Sequence, residues 1–237
     1  MTYCFQPIGV IKSCFSDKFG VPRQPGLVRS ARGQLVMLPP FDREEALDGL
    51  AGISHVWITF VFHQMVGDAT RLTVRPPRLG GNQKMGVFAT RSPFRPNPIG
   101  WSAVALEGIA RVDGSLVLHL AGIDMVDGTP VLDVRPYVPY SDCLPEARGG
   151  FADEAPPARL AVAFSPSARA AAAKWEARWP GLKSLIEEVL CLDPRPAYFS
   201  GSGRARRFAI RLYDLDIHWT VNDSEARVDV VEILKKD

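Results

Sequence analysis

Three stretches of the 237-residue chain gather prolines, glycines and polar side chains more densely than connecting loops require. They are FGVPRQPG (Phe19–Gly26), RPPRLGGN (Arg75–Asn82) running on to GVFATRSPFRPNPIG (Gly86–Gly100), and DMVDGTPVLDVRPYVPY (Asp124–Tyr140). Proline fixes φ and reduces the entropy a loop loses when it closes on a ligand. Rigid loops with polar tips on a β scaffold are a common way to build a site. The chemistry they suggest is the gripping of a small molecule. Ordinary barrel turns would carry the same residue types, and both readings stand at this point.

Familiar cofactor motifs are absent. No GxGxxG follows a strand, and neither GxxxxGK[ST] nor GxSxG occurs, so dinucleotide, nucleotide and serine-hydrolase sites are unsupported. Cys4, Cys14, Cys143 and Cys191 are scattered without a CxxC pair, which favours reduced thiols over a disulfide framework or a zinc site. No metal is demanded.

Charge is segregated although the net is only +2. From Ala69 to Leu106 run Arg71, Arg75, Arg78, Lys84, Arg91 and Arg95 without an acid; Lys18–Phe41 and Arg195–Arg211 are likewise acid-free. Such runs give a basic face suited to a polyanion, unless acids distant in sequence neutralise them.

The elements that must position these loops are mainly strands. Pro7–Ser13, Gly33–Leu38, His55–His63, Thr70–Arg75, Met85–Ala89, Ser102–Val112, Ser115–Leu120 and Val131–Arg135 are short, apolar and punctuated by Gly, Pro and Asn. One helix is expected here, Asp42–Leu50, with Asp42 as N-cap. Many strands without crossover helices predict a mainly β fold, a closed or nearly closed single-sheeted barrel. The boundary-like run Cys143–Pro157 sets a linker at 146–159 between a barrel domain (1–145) and a small α+β domain (160–237). There, Ser165-Pro166 starts a helix reaching Trp179, a second helix runs Leu182–Leu192, and two strands follow, Arg207–Val221 and Ala226–Leu234. No run approaches a membrane-spanning helix. The N-terminus lacks a signal-peptide pattern, so the cytoplasm is the expected compartment.

FGVPRQPGL, RPPRLGGN, GVFATRSPFRPNPIG and DMVDGTPVLDVRPYVPYSD closely resemble the tRNA threonylcarbamoyladenosine methyltransferases, the TrmO or TsaA-like family, and the tail DPRPAY resembles its bacterial members. The resemblance covers nearly the whole chain. It implies a barrel that binds S-adenosylmethionine, methylation of the exocyclic nitrogen of threonylcarbamoyladenosine 3′ to the anticodon, and a homodimer whose donor site borders the subunit interface. It also implies a C-terminal domain that helps hold tRNA. The positions resembling donor loops are Gln24, Pro25 and Gly26, His63 and Gln64, Arg91, Trp101, and Asp127, Gly128, Thr129 and Pro130. Gln24, Gln64 and Asp127 suit adenine and ribose. Arg91 suits the donor carboxylate. Trp101 replaces the aliphatic residue associated with its position.

A sulfonium methyl is already electrophilic, so alignment and exclusion of water are the main tasks. The urea-like nucleophile gains by losing its proton, which calls for a base. Asp124, Asp127, Asp133, His63, Tyr137 and Tyr140 are candidates that sequence does not rank. Unstacked anticodon-loop bases invite stacking and cationic contacts, for which Phe88, Phe94, Arg95, Asn97, Tyr198, Arg204, Arg206 and Arg207 are candidates. The alternatives are a non-catalytic RNA-binding barrel and a small-molecule hydrolase or isomerase.

Overall fold

The computed structural model describes residues 2–67, 70–156, 160–195 and 206–236. Six strands close into an antiparallel barrel: β1 (Gly9–Ser13), β2 (Arg32–Met37), β3 (His55–Val61), β6 (Ile99–Val112), β7 (Ser115–Ala121) and β8 (Pro130–Pro136). Their order around the barrel is β1-β2-β7-β6-β3-β8. Successive strand residues point to opposite faces, and the inward set, including Ile11, Leu35, Val56, Ile58, Phe60, Leu118, Leu120 and Val131, fills the interior. The run His55–Val61 therefore lines the barrel with one buried face. Two short strands, β4 (Thr73–Val74) and β5 (Met85–Gly86), pair as a separate hairpin between β3 and β6. After β8, a short helix α1 (Pro139–Asp142) folds back so that Asp142 accepts from Trp57 Nε1 at 2.9 Å.

Antiparallel closure sorts the connections by barrel end. At one rim β1, β3 and β7 finish and β2, β6 and β8 begin, so the segments 14–31, 62–98 and 122–129 all meet there. Each of the three proline-rich clusters has its first part in one of these segments. The opposite rim carries segment 38–54, the Asp113-Gly114 turn and the exit from β8.

The second unit has a sheet ordered β10-β11-β12-β9, made of β9 (Ala161–Phe164), β10 (Phe208–Leu212), β11 (Leu215–Asn222) and β12 (Arg227–Lys235). Helices α2 (Pro166–Glu176) and α3 (Leu182–Cys191) bring Ala168, Ala172, Leu185, Ile186 and Val189 to its core. Ser165 caps α2 by accepting from Ala168 N at 3.0 Å. The two units are stitched together. Phe15 bridges Leu212, Tyr213 N donates to Cys14 O at 2.7 Å, and Ser30 N donates to Glu188 Oε2 at 3.0 Å. One hydrophobic cluster runs through both.

Three sequence expectations are corrected. Asp42–Leu50 is not an α-helix but two 3₁₀ turns, Glu44–Leu47 and Leu50–Gly52, split by Gly49 at φ 81° and without a buried residue to hold a longer helix. Helix α2 ends at Glu176, three residues before Trp179: Pro180 has no N–H to extend the ladder and disfavours helical geometry at Trp179, and the Glu176 carboxylate accepts from Gly181 N (2.6 Å) at the start of α3. The single strand expected over Arg207–Val221 is the hairpin β10–β11. Among the described residues no helix is long and apolar enough to cross a membrane.

Candidate functional site at one barrel rim

Arg91, in the segment that leads into β6, reaches the segment after β1 and donates from Nη1 to Gln24 Oε1 at 2.5 Å. Its charge is also felt by Asp124, in the segment that follows β7. Asp124 keeps some surface open to solvent, yet protein atoms crowd its carboxyl. Burial pushes its pKa up to about 6, against the hydroxyl of Ser102 and the charge of Arg91, which pull it down. Ser102 Oγ donates to Asp124 Oδ1 at 2.6 Å. A guanidinium, an amide and a carboxyl that takes up a proton near neutral pH thus meet at one rim, each from a different segment. That is an arrangement for holding a polar ligand beside a proton acceptor.

The backbone beneath is fixed tightly. Gly26 N donates to Gly122 O at 2.8 Å, and the two chains approach so closely that a Cβ on Gly122 would lie 3.3 Å from Gly26 Cα. Both glycines have positive φ, 75° and 70°. Pro25 precedes this contact. Above Gly26 no atom stands where a side chain would be, so a ligand can reach the main chain. The Asp127–Pro130 turn is sewn to β1: Ser13 N donates to Asp127 Oδ1 (2.8 Å), Gly128 N to Ile11 O (2.8 Å) and Ile11 N to Thr129 O (2.9 Å), while Thr129 Oγ1 closes the turn on Val126 O (2.6 Å). Thr129 is buried, and Pro130 opens β8.

His63 and Gln64 occupy a 3₁₀ turn just after β3 at the same rim, with Lys18 Nζ donating to Gln64 O at 3.1 Å. Burial and then Lys18 lower the His63 pKa, opposed by the Val61 backbone and then by Asp127, and the net direction favours the neutral ring. Arg95 donates to Thr90 O at 3.4 Å and Asn97 is exposed, both in the segment before β6.

Four candidates lie elsewhere. Trp101 is 64% exposed on the outer barrel face, the opposite side of β6 from buried Ser102, where it lines an open groove with Trp57, Thr59, Arg135 and Tyr140. Asp133 is paired with Arg135 at 2.7 Å. Tyr137 and Tyr140 follow β8 at the far rim, where Tyr137 packs on Trp57 with ring centroids 5.8 Å apart. The structure therefore does not bring these two tyrosines to Asp124.

The acid-free tail resolves toward neutralisation. Arg195 is buried between Asp193 (2.7 Å) and Asp223 (2.8 Å), Arg207 pairs with Glu232, and Arg211 pairs with Asp216 at 3.0 Å. Arg206 lies over the Phe208 ring, 5.9 Å from its centroid. Tyr198 and Arg204 lie outside the described residues. Sequence reasoning missed Ser102, Gly122 and Lys18. The available signal for Ser102 was a lone hydroxyl at an inward position in the apolar first half of β6.

All four cysteines are free, and no group of three or more His, Cys, Asp or Glu suited to a metal occurs among the described residues.

Comparison with known proteins agrees with this architecture. The family model of the tRNA-methyltransferase O N-terminal domain matches residues 10–143, and that of the TrmO C-terminal domain matches residues 157–236. The tRNA (adenine(37)-N6)-methyltransferase of Escherichia coli is 47% identical over 231 residues, covering 98% of each chain. A Pseudomonas aeruginosa protein named provisionally as an S-adenosylmethionine-dependent methyltransferase is 52% identical over 99% of this chain and 97% of its own. The crystal structure of TrmO from Pseudomonas aeruginosa superposes with a TM-score of 0.80 at 44% identity, covering 99% of both chains. With both family models matched along nearly its full length, the chain belongs to the tRNA-methyltransferase O family.

Proposed function

We propose that this chain transfers the methyl group of S-adenosylmethionine to N6 of the adenosine at position 37 of tRNA, and that this nitrogen already carries a threonylcarbamoyl group. The observation that carries the reading is the convergence of the Gln24–Arg91 pair with Asp124 at one barrel rim. The names of the relatives supply the reaction class and the donor.

The residues at the rim fit the donor. Arg91 offers a guanidinium to a carboxylate, Gln24 and Gln64 offer amides to adenine or ribose, and the open space above Gly26 lets a ligand approach the main chain. When bound, S-adenosylmethionine supplies a methyl carbon made electrophilic by its sulfonium sulfur. The chain's own tasks are alignment, exclusion of water and removal of one proton. Asp124, with Oδ1 held by Ser102, takes the N6 proton as the nitrogen attacks. Asp127, His63 and Lys18 shape the neighbouring wall, while Thr129 and Pro130 hold it from behind.

The working unit is a homodimer in the cytoplasm. In this reading outward-facing Trp101 covers the donor bound by a neighbouring copy, which gives its departure from an aliphatic residue a role. Residues 1–145 carry the donor site, 146–159 link, and 160–237 help hold tRNA, with Arg204 and Arg206 as contacts.

Nucleoside mass spectrometry of tRNA tests the reaction. Cells lacking the protein should accumulate threonylcarbamoyladenosine without its methylated form, and the purified chain with isotope-labelled donor should restore it. An unchanged profile refutes the assignment. Arg91→Ala should weaken binding of the demethylated donor product by about 1.5–3 kcal/mol in calorimetry, the worth of a charge-assisted contact.

A further inference from the structure

Among the described residues, segment 70–98 carries a run of cations without a close carboxylate partner. Among the described residues, none of Arg71, Arg75, Arg78, Lys84, Arg91 and Arg95 pairs with a carboxylate within 4.0 Å. This contrasts with the tail, where Arg195, Arg207 and Arg211 all have acidic partners. Arg71 instead covers the ring of Phe94, 4.1 Å from its centroid, and Arg78 donates to the carbonyl of Glu154. Arg75 and Lys84 are exposed on the hairpin formed by β4 and β5.

Amid these cations stands Phe88, 74% exposed. Its backbone is not loose. Phe88 occupies a 3₁₀ turn whose first residue, Val87, is buried, and Thr90 closes the turn by donating from N (3.1 Å) and Oγ1 (2.9 Å) to Val87 O. A large ring presented to solvent on an anchored turn, three residues from Arg91, is preorganised for a flat partner. Phe94 is already taken by Arg71, which leaves Phe88 as the open ring of this segment.

We propose that the outer face of segment 70–98 binds a single-stranded RNA loop, with Phe88 stacking on an unpaired base and Arg75 and Lys84 taking the flanking phosphates. Cations without acidic partners match a polyanion, and an exposed ring matches a π-face that only an unpaired base offers. The inference rests on the tRNA reading above and names the surface through which the substrate loop is held.

Full-length protein titrated with a fluorescent anticodon stem-loop, and with a fully paired RNA duplex as control, tests it. Phe88→Ala should weaken loop binding by about 5- to 150-fold, the range for one base stack, with the salt slope kept, and Phe88→Trp should restore it. Arg75→Ala with Lys84→Ala should lower the slope of log affinity against log salt by about 1.4, roughly 0.7 per phosphate on a single strand. Calorimetry with the demethylated donor product should be unchanged in every variant. Phe88→Ala binding the loop as wild type does, or losing loop and duplex equally, overturns the stacking role. A slope unmoved by the double variant overturns the phosphate contacts. Wild-type protein that binds anionic vesicles but no RNA loop overturns the surface assignment. Methyl transfer by wild-type protein is scored separately, so the reaction and this surface can fail independently.

Discussion

Asp124 stands apart from the other candidate bases because of what surrounds it. Asp133 has its charge matched by Arg135, and Tyr137 and Tyr140 stand at the far rim, whereas Asp124 is crowded, bonded to Ser102 and within the field of Arg91. Its raised pKa of about 6 has two consequences with opposite value to the cell. As a base it must be ionised, so kcat/KM should rise with pH through about 6 and level off above. For stability the sign reverses. The native carboxyl holds its proton up to about 6 while the unfolded one releases it near 3.8, so stability falls as pH rises through that interval. The full loss is at most about 3 kcal/mol by pH 7, from roughly 1.36 kcal/mol per pKa unit. Asp124→Asn should therefore slow methyl transfer about 10²- to 10⁴-fold, the typical share of a general base, and remove the acid limb. Its melting temperature should exceed that of wild type at pH 7 and match it near pH 4. A variant that keeps its activity would show that another group takes the proton. Sequence named Asp124 without ranking it, because the pleat and the stagger of a barrel decide which side chains meet.

At the scale of elements, the three candidate loops were legible and their meeting was not. Proline and glycine mark a rigid loop in sequence, but only antiparallel closure puts the segments after β1, β3 and β7 on one rim. The hairpin β10–β11 was hidden for a different reason. Its turn, Tyr213-Asp214, lacks the glycine or asparagine that usually signals φ > 0. Tyr213 reaches φ 56° because tertiary contacts hold it there: its ring stacks on Trp179 with centroids 4.0 Å apart, and its amide bonds Cys14 O. The contact between Gly26 and Gly122 is where an element-level change should be felt most. Gly122→Ala adds a Cβ at positive φ against the backbone of Gly26, and such strain typically costs about 1–3 kcal/mol. Donor affinity should fall with stability, whereas Gly128→Ala, where a Cβ meets open space, should lose only the φ contribution. Equal effects in calorimetry and thermal melts would discount the close approach.

Over the whole molecule, the barrel, the α+β unit and its leaning on the barrel were anticipated, while the residues of the seam were not, since nothing in a local pattern announces a contact between Phe15 and Leu212. Sedimentation at working concentrations should give a dimer, and dilution to monomer should lower activity if neighbouring copies share the donor wall. A fully active monomer would place that wall within one chain. The seam itself leads further. Residue 13 pins Asp127 at the rim, and residues 14 and 15 are tied to the hairpin of the C-terminal sheet. With a common core beneath both, the units should open as one. Occupancy at the rim should then guard amides far from it: at a hundredfold excess over Kd a ligand adds about 2.7 kcal/mol to the native state. Hydrogen–deuterium exchange in β10, β11 and β12 should slow by close to a hundredfold when the demethylated donor product is bound, wherever exchange requires global opening. Exchange there that ignores the ligand would mean that the tail breathes on its own.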